Sequence, residues 1–262
     1  MKLGCCVPYQ KEELPTILKK NGYAFVETGF SNLYEATEAD IAAFSQNLQE
    51  NGLQCVSCNG MFPQKIQVVG PNVDYAAIDD YLQTALEKAN PLHPEYVVFG
   101  SSKARQIPDG FPKADAWDQI VVLLRDHIAP AFRKYQMTCV IEPLRFGECN
   151  CVNTVLDGLQ LAMRANVPEV QLLVDYYHFA YNHEPLAALD CCKGWIRHVH
   201  LASYQQKRHI PFAKDGDDYQ PFFEKLREIG YENGNISLEG GLGDDPASSL
   251  AAAAAYLLPL IS

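Results

Sequence analysis

Four short apolar runs, far apart in the chain, each end in a residue type that binds hard metal ions. The runs end at Glu142, Asp175, His200 and Glu239. Each run has the length and composition of a buried strand, so each side chain stands where a strand gives way to a loop. Because carboxylates are costly to bury without a counter-charge, these four ends together predict one divalent cation site built on parallel strands.

Strand-like and helix-like segments alternate along the 262 residues. This number of repeats favours a closed (β/α)8 TIM barrel over an open doubly wound sheet. No long linker or composition break divides the chain, so we expect a single barrel domain over residues 1–262. The eight candidate strands begin near Lys2, Tyr23, Leu53, Glu95, Thr138, Val170, Ile196 and Asn235. The candidate helices include Glu38 to Asn51, Tyr75 to Ala89, Ala116 to Tyr135, Thr154 to Ala165 and Tyr219 to Ile229.

The long irregular stretches all follow candidate strands. In a barrel, the loops after the strands form the face that carries the active site, and the four metal-type residues share that face. These stretches are Gly60 to Val73, Gly100 to Ala114, Arg145 to Val152 and Ser203 to Asp218.

Composition narrows the class of protein. The formal net charge of −11 argues against a nucleic-acid partner, which needs a positive surface. Nine cysteines, several in apolar runs, predict buried free thiols in a reducing, cytoplasmic compartment. The N-terminus has no signal-peptide pattern, and no apolar stretch approaches the ~18 residues of a membrane span, so we expect no membrane association.

The donor set favours particular metals. Three carboxylates and one imidazole suit Mn²⁺, Mg²⁺ or Co²⁺, whereas a structural zinc would favour thiolates or more histidines. We therefore expect one divalent ion as cofactor, Mn²⁺ first, with Mg²⁺, Co²⁺ or Zn²⁺ as alternatives.

Two further histidines lie near these strand ends. His178 follows Asp175 by three residues, which predicts a position on the loop just beyond the strand, near the metal but outside its ligands. A neutral imidazole there could polarise a substrate oxygen, and the alternative is a hydrogen-bonded structural histidine. His198 precedes His200 by two positions, so both point to one side and His198 lies one layer deeper.

Loop residues after three of the strands supply charges and a glycine run. Glu148 could lie over the site, or it could be a solvated loop charge. Lys207 or Arg208 could bind an anionic substrate, with exposed surface charge as the alternative. The glycines of residues 240–243 fit either a phosphate-binding loop or a simple tight loop.

The strand-end segments together resemble the sugar 3-epimerases and their sugar phosphate isomerase/epimerase relatives, which share the xylose isomerase-like barrel. The likeness covers nearly the whole chain in order. It lies in Val140-Ile141-Glu142-Pro143-Leu144 with Glu148 and Asn153-Thr154, in Leu173-Val174-Asp175-Tyr176-Tyr177-His178, in His198-Val199-His200, in Ile236-Ser237-Leu238-Glu239 and in the loop from Ser102 to Phe111.

The resemblance implies a metal-dependent epimerase or isomerase of a small-molecule sugar or sugar phosphate. It implies that Glu142, Asp175, His200 and Glu239 hold the metal. It also implies that Glu142 and Glu239 transfer protons through a metal-stabilised enediolate. By the same resemblance, the substrate contacts are Glu148, His178 and Arg208.

The chain departs from the family pattern after His200. Ser203 stands where an acid is common, Arg208 comes about two residues late, and Pro211-Phe212 replaces Pro-Gly. Three other functions remain open: a polyol or inosose-type dehydratase on the same site, a non-catalytic sugar-binding barrel, and metal-dependent cleavage of damaged DNA, which the negative charge disfavours. A homo-oligomer also remains open.

Overall fold

Eight parallel strands close into a barrel in chain order. The computed structural model describes residues 1–262. The predicted (β/α)8 fold class is confirmed, and every strand begins within two residues of its predicted start. The strands are β1 (Lys2–Cys6), β2 (Phe25–Gly29), β3 (Gln54–Asn59), β4 (Tyr96–Phe99), β5 (Thr138–Ile141), β6 (Val170–Asp175), β7 (Ile196–Leu201) and β8 (Asn235–Leu238).

Closure comes from pairing of the first and last strands. Leu3 of β1 lies opposite Ile236 of β8, and Gly4 lies opposite both Phe25 of β2 and Ser237 of β8. Each strand therefore has a hydrogen-bonded neighbour on both sides, which leaves no open edge for pairing with another chain. Because all eight strands are parallel, their carboxyl ends lie on one face of the barrel.

The helices pack around the barrel and cover the outer face of the strands. No helix has both the length and the apolar composition needed to cross a lipid bilayer. The α-helices are α1 (Leu14–Lys20), α2 (Phe30–Glu35), α3 (Glu38–Glu50), α4 (Tyr75–Ala89), α5 (Lys113–Val122), α6 (Ala129–Tyr135), α7 (Val155–Ala165), α8 (Tyr176–Tyr181), α9 (Ala188–Cys191), α10 (Gln220–Glu228) and α11 (Pro246–Ile261).

One predicted helix is interrupted. The segment expected to run from Ala116 to Tyr135 consists of α5, a π-helical turn over Leu123–Ile128, and α6. Pro130 explains the wide turn, because proline has no N–H to donate and its ring crowds the carbonyl four residues earlier, at Asp126.

The side chains inside the barrel form layers below the carboxyl-terminal face. Val98, Val140 and Leu173 are fully buried and pack together in a small apolar cluster. Side chains two residues apart on a strand point to the same side. Glu142 and Asp175, two residues after Val140 and Leu173, therefore point into the mouth of the barrel above this cluster.

Helix α7 begins beside the barrel mouth with a capping box between Thr154 and Asp157. The Val155 amide at its first turn donates to Glu184 Oε2 over 2.9 Å. Burial raises the pKa of Glu184 to about 7, so folding is linked to keeping this carboxyl protonated. The stability that depends on a protonated Glu184 is fully present below the pKa of this carboxyl in the unfolded chain. It is lost as the pH rises through the folded pKa.

We expect Glu184→Gln to stabilise the protein relative to wild type at about pH 8 and to have little effect at about pH 4. The amide stays neutral at both values and still accepts from the Val155 amide. Urea unfolding of both proteins at the two pH values measures the difference. An equal difference at both would contradict the proposed linkage.

Candidate metal centre

The barrel brings the four predicted strand-end residues into one cluster. Glu142 follows β5, Asp175 ends β6, His200 lies in β7 and Glu239 follows β8. One ligand atom from each lies within 4.8 Å of all the others. The Glu142 amide donates to Phe99 O and the Glu239 amide to Leu201 O, each over 3.2 Å, so the barrel hydrogen bonding continues to the ligand residues themselves.

His200 lies at the centre of the cluster, with each ring nitrogen facing a carboxylate. Its Nδ1 is 3.2 Å from Glu142 Oε1 and 3.4 Å from Glu239 Oε2. Its Nε2 is 2.9 Å from Glu27 Oε1, deeper in the barrel. Burial alone would lower the pKa of His200, but these carboxylates, Glu27 foremost, raise it well above its usual value.

The three carboxylates of the cluster experience different environments. Burial raises the pKa of Glu142, and the charge of Glu239 adds to the effect. Burial also raises the pKa of Asp175, against the opposing charge of Arg208. Burial alone would raise the pKa of Glu239, but the charges of His200 and Arg208 lower it well below its usual value.

The residues present fit a divalent cation. Oxygen donors from three carboxylates with one imidazole form a donor set that Mn²⁺ and similar ions accept. Asp175 Oδ2 is buried and has no hydrogen-bond partner. A buried carboxylate oxygen without a donor is unfavourable, so this atom has room and chemical reason to ligate an ion.

Two residues that were not singled out from the sequence shape the Glu142 side of the cluster. A Cβ added at Gly100 would overlap Glu142 Oε2, so the absence of a side chain at this position makes room for the carboxylate. The buried guanidinium of Arg105 donates to Phe99 O, Gly100 O and Glu142 O. Arg105 thereby ties the end of β4 to the end of β5.

His178 lies in α8 and not on a loop, which corrects the expectation. The cause is Asp175, whose Oδ1 accepts from the Tyr177 and His178 amides and so caps a helix that starts directly after β6. His178 lies outside the cluster of four, and its Nδ1 accepts from the Arg145 amide over 3.2 Å. Burial lowers its pKa to about 4. The ring is therefore neutral, with its proton on Nε2, which has no partner and is 3.7 Å from Asp175 Oδ2.

Of the two basic loop candidates, Arg208 reaches the site and Lys207 is exposed. The Arg208 guanidinium forms an ion pair with Glu239 and lies 3.4 Å from Glu148 Oε1. It also lies over the Tyr177 ring at 5.4 Å from the centroid. Glu148, for which the sequence left open a position over the site or a solvated loop charge, is thus linked to the cluster through Arg208.

The Arg208 backbone is fixed in an uncommon conformation, with φ of 71°. Its amide donates to Ser203 O over 2.9 Å, and its carbonyl accepts from the Gly241 amide over 2.8 Å. A Cβ added at Gly240 would lie 2.6 Å from Arg208 O, so glycine is needed there. The glycine run therefore forms a tight loop that holds Arg208, and the Gly241 amide is not free for a phosphate.

Residues deeper in the barrel support the cluster. Asn59 Nδ2 donates to Glu239 Oε1 over 2.9 Å. His198 lies below His200, as its spacing predicted, and its Nε2 is 2.7 Å from Glu27 Oε2. Glu27 was not identified from the sequence, although it directly follows another apolar run, Tyr23 to Val26. The imidazoles of His200 and His198 hold the pKa of Glu27 well below its usual value despite burial.

A cavity of about 320 Å³ adjoins the cluster on the side of Asn59. None of its nine lining residues is charged. The polar groups available in it are a thiol, a hydroxyl and carboxamides, which suit uncharged hydrogen-bonding ligands. The lining residues are Cys6, Val7, Pro8, Thr28, Gly29, Asn32, Asn59, Gly240 and Leu242.

Comparison with known proteins finds a family model that matches most of the chain. The family model described as xylose isomerase-like TIM barrel matches residues 15–259. A curated 3-dehydro-D-guloside 4-epimerase of Escherichia coli (strain K12) is 29% identical over 119 residues, a stretch that covers 45% of this chain and 44% of that relative.

Solved structures show the same fold over the whole chain. The 3-keto-D-glucoside 4-epimerase from E. coli has a TM-score of 0.82 and 19% identity, covering 99% of each chain. A D-psicose 3-epimerase in the presence of D-fructose has a TM-score of 0.82 and 16% identity, covering 100% of this chain and 99% of that one. An L-ribulose 3-epimerase has a TM-score of 0.84 and 17% identity, covering 100% of this chain and 95% of that one.

We expect Gly100→Ala to weaken Mn²⁺ binding by roughly tenfold or more, because the new methyl group displaces the Glu142 carboxylate. The matched control is Gly241→Ala, where the nearest atom to an added Cβ is Arg208 O at 3.9 Å. Isothermal titration calorimetry with Mn²⁺ measures both affinities. Equal affinities for the two variants would contradict the role assigned to Gly100.

Proposed function

The chain belongs to the xylose isomerase-like TIM-barrel family, and we propose that it is a metal-dependent epimerase or isomerase of a sugar. The observation that carries the proposal is the cluster of Glu142, Asp175, His200 and Glu239, whose ligand atoms lie within 4.8 Å of one another. The relatives support a sugar substrate, since their names specify 3-dehydro-D-guloside, 3-keto-D-glucoside, D-psicose and L-ribulose.

The four residues of the cluster would hold the cation, which we propose to be Mn²⁺, with Mg²⁺, Co²⁺ or Zn²⁺ as alternatives. When bound, such an ion stabilises the negative charge that develops on substrate oxygens as an enediolate forms. Glu142 and Glu239 come from non-adjacent strands and meet across His200, so they can approach a sugar carbon from two sides.

Proton transfer would then be shared between the two glutamates. One carboxylate removes the proton from the carbon next to the carbonyl, and the other delivers a proton to the opposite face, which inverts that carbon. Delivery to the neighbouring carbon gives an aldose–ketose isomerisation instead. Glu239 is held for this role from two directions, by Asn59 at Oε1 and by Arg208 at Oε2.

Three further side chains are proposed to bind substrate oxygens. His178 offers an Nε2–H without a partner, because its Nδ1 accepts from the Arg145 amide. This N–H is suited to donate to a carbonyl oxygen. Arg208 offers guanidinium donors and Glu148 offers a carboxylate acceptor at the same side of the mouth.

The adjoining cavity favours an uncharged substrate. A phosphate group needs cationic or backbone N–H donors when it leaves water. Among the residues lining this cavity none is charged, and the Gly241 amide is already bonded to Arg208 O. We therefore propose a free keto-sugar over a sugar phosphate.

We expect Glu239→Gln to lower kcat for interconversion of D-psicose and D-fructose, or of whichever epimer pair the wild type turns over, by about 10²–10⁴-fold. In D₂O, the remaining carboxylate, Glu142, should still exchange the substrate proton for solvent deuterium, but in only one of the two epimers. Mass spectrometry of each recovered epimer measures this at saturating Mn²⁺, with Glu184→Gln as the control.

Several outcomes would contradict this mechanism. Undiminished deuterium exchange into both epimers by Glu239→Gln would rule out shared proton transfer. Accumulation of a deoxy or unsaturated ketone by the wild type would identify a dehydratase. Bound metal without turnover across a panel of ketoses would identify a sugar-binding barrel.

We expect kcat/KM for the free ketose to exceed that for its phosphorylated form by roughly tenfold or more, since the cavity offers the phosphate no counter-charge. Asn32→Lys, which adds an ammonium group to the cavity lining, should narrow this difference. Steady-state kinetics on both substrates measures it. Preference of the wild type for the phosphorylated form would contradict the proposed substrate class.

A further inference from the structure

A carboxylate below the proposed metal ligands connects three of the eight strands. Glu27, on β2, has no solvent exposure. Its partners are Ser57 on β3 and both His198 and His200 on β7. None of these contacts reaches the cavity, so Glu27 is not placed to touch a substrate.

Every partner of Glu27 donates a hydrogen bond to its carboxylate. An ionised carboxylate has only acceptor atoms, so each group within hydrogen-bond distance must contribute its proton. Glu27 Oε1 lies 2.9 Å from His200 Nε2. Glu27 Oε2 lies 2.7 Å from His198 Nε2 and 2.6 Å from Ser57 Oγ. With Oε2 held by two donors, Oε1 cannot rotate away from His200.

This arrangement decides which nitrogen of His200 is free to ligate. Metal ligation needs the neutral form of the imidazole, which has one N–H and one lone pair. With the N–H at Nε2 directed to Glu27, the lone pair is on Nδ1, which faces Glu142 and Glu239. Resting on the proposed metal site, we infer that Glu27 is a positioning residue that fixes His200 in the tautomer and orientation needed for metal binding through Nδ1.

The packing around His198 keeps the carboxylate in place. The His198 ring stacks on Tyr96 with centroids 5.8 Å apart and meets the edge of Phe25 at 6.1 Å. Its Nδ1 is buried without a partner. The polar contacts of His198 therefore all lie at Nε2, toward Glu27 and, at 3.1 Å, Ser57 Oγ, and His198 acts as a fixed donor below the site.

An amide cannot replace the carboxylate in this position. Glutamine has the same shape, but one of its two terminal atoms is an NH₂ donor. If the NH₂ faces His200, then Nε2 must accept and the proton moves to Nδ1, where it blocks ligation. If the NH₂ faces His198 and Ser57, His200 keeps its proton on Nε2, but His198 must accept at its Nε2 and its own proton moves to Nδ1, which is buried without a partner. The first orientation blocks ligation, and the second is disfavoured by that buried, unsatisfied N–H.

Glu27 also belongs to a second group of ligand-type atoms, with Cys6 and His200. The three donors already bound to the Glu27 oxygens oppose ligation there. Metal stoichiometry distinguishes the two roles, because a positioning residue leaves one ion per chain.

The first experiment compares Mn²⁺ binding to wild type, Glu27→Gln and Glu184→Gln by isothermal titration calorimetry. We expect one ion per chain in all three and an affinity about 10–100-fold weaker in Glu27→Gln alone, the usual effect of losing a residue that orients a ligand. Urea unfolding confirms that the variants are folded under the titration conditions.

Each other result overturns the inference. Wild-type affinity in a folded Glu27→Gln would show that the carboxylate does not position His200. Two ions per wild-type chain would make Glu27 a ligand itself. No Mn²⁺ binding by wild type would remove the proposed metal site, and this inference with it, whereas failure of Glu27→Gln to weaken binding leaves the proposed function intact.

The second measurement needs no variant and remains decisive if Glu27→Gln does not fold. Nitrogen-15 NMR of wild-type protein loaded with diamagnetic Zn²⁺ reports which ring nitrogen of His200 carries a proton. We expect the proton on Nε2, directed to Glu27. A proton on Nδ1 would overturn the inference.

Discussion

The burial of charge at one end of the barrel is the constraint on which the candidate site depends. Closure of eight parallel strands directs Glu142, Asp175, His200 and Glu239 to the same mouth. Carboxylates this close repel one another unless positive charge is supplied. Arg208 supplies part of it, and a divalent cation, which would replace the proton on His200 Nδ1, would supply the rest. The fold therefore concentrates an excess of negative charge at the barrel mouth, and this excess makes the site suited to a metal cation.

The residues that create this excess also build the surrounding structure. Asp175 ends β6 and caps α8, and this capping brings His178 to the mouth. Arg105 binds the backbone of Glu142 and of two residues at the end of β4. Because ligand placement and strand-end geometry share these contacts, a change at one strand end is transmitted to the donor atoms. Preorganisation of this kind lowers the cost of orienting ligands when an ion or substrate binds.

The fold and the four cluster residues were accessible to sequence reasoning because both depend on local patterns. Short apolar runs define the strands, and the residue after each run lies at the barrel mouth. Glu27 was missed because its role depends on contacts across the barrel interior, where its side chain from β2 meets His198 and His200 of β7. Gly100 was missed because its role is the absence of a side chain beneath Glu142. The helical position of His178 was missed because it follows from a cap that Asp175 provides in three dimensions.

At Arg208 the backbone is fixed beside the barrel mouth, whereas the side chain can change partners. Its main chain, at φ of 71°, is bonded to Ser203 and to the Gly241 amide, so the residue stays beside the site. Its guanidinium pairs with Glu239 and lies 3.9 Å from Asp175 Oδ2. A cation bound by those carboxylates would neutralise part of their negative charge, which weakens the ion pair between Glu239 and Arg208. The side chain then becomes available to a substrate oxygen while its backbone remains fixed, so metal binding would prepare the substrate site without a moving loop.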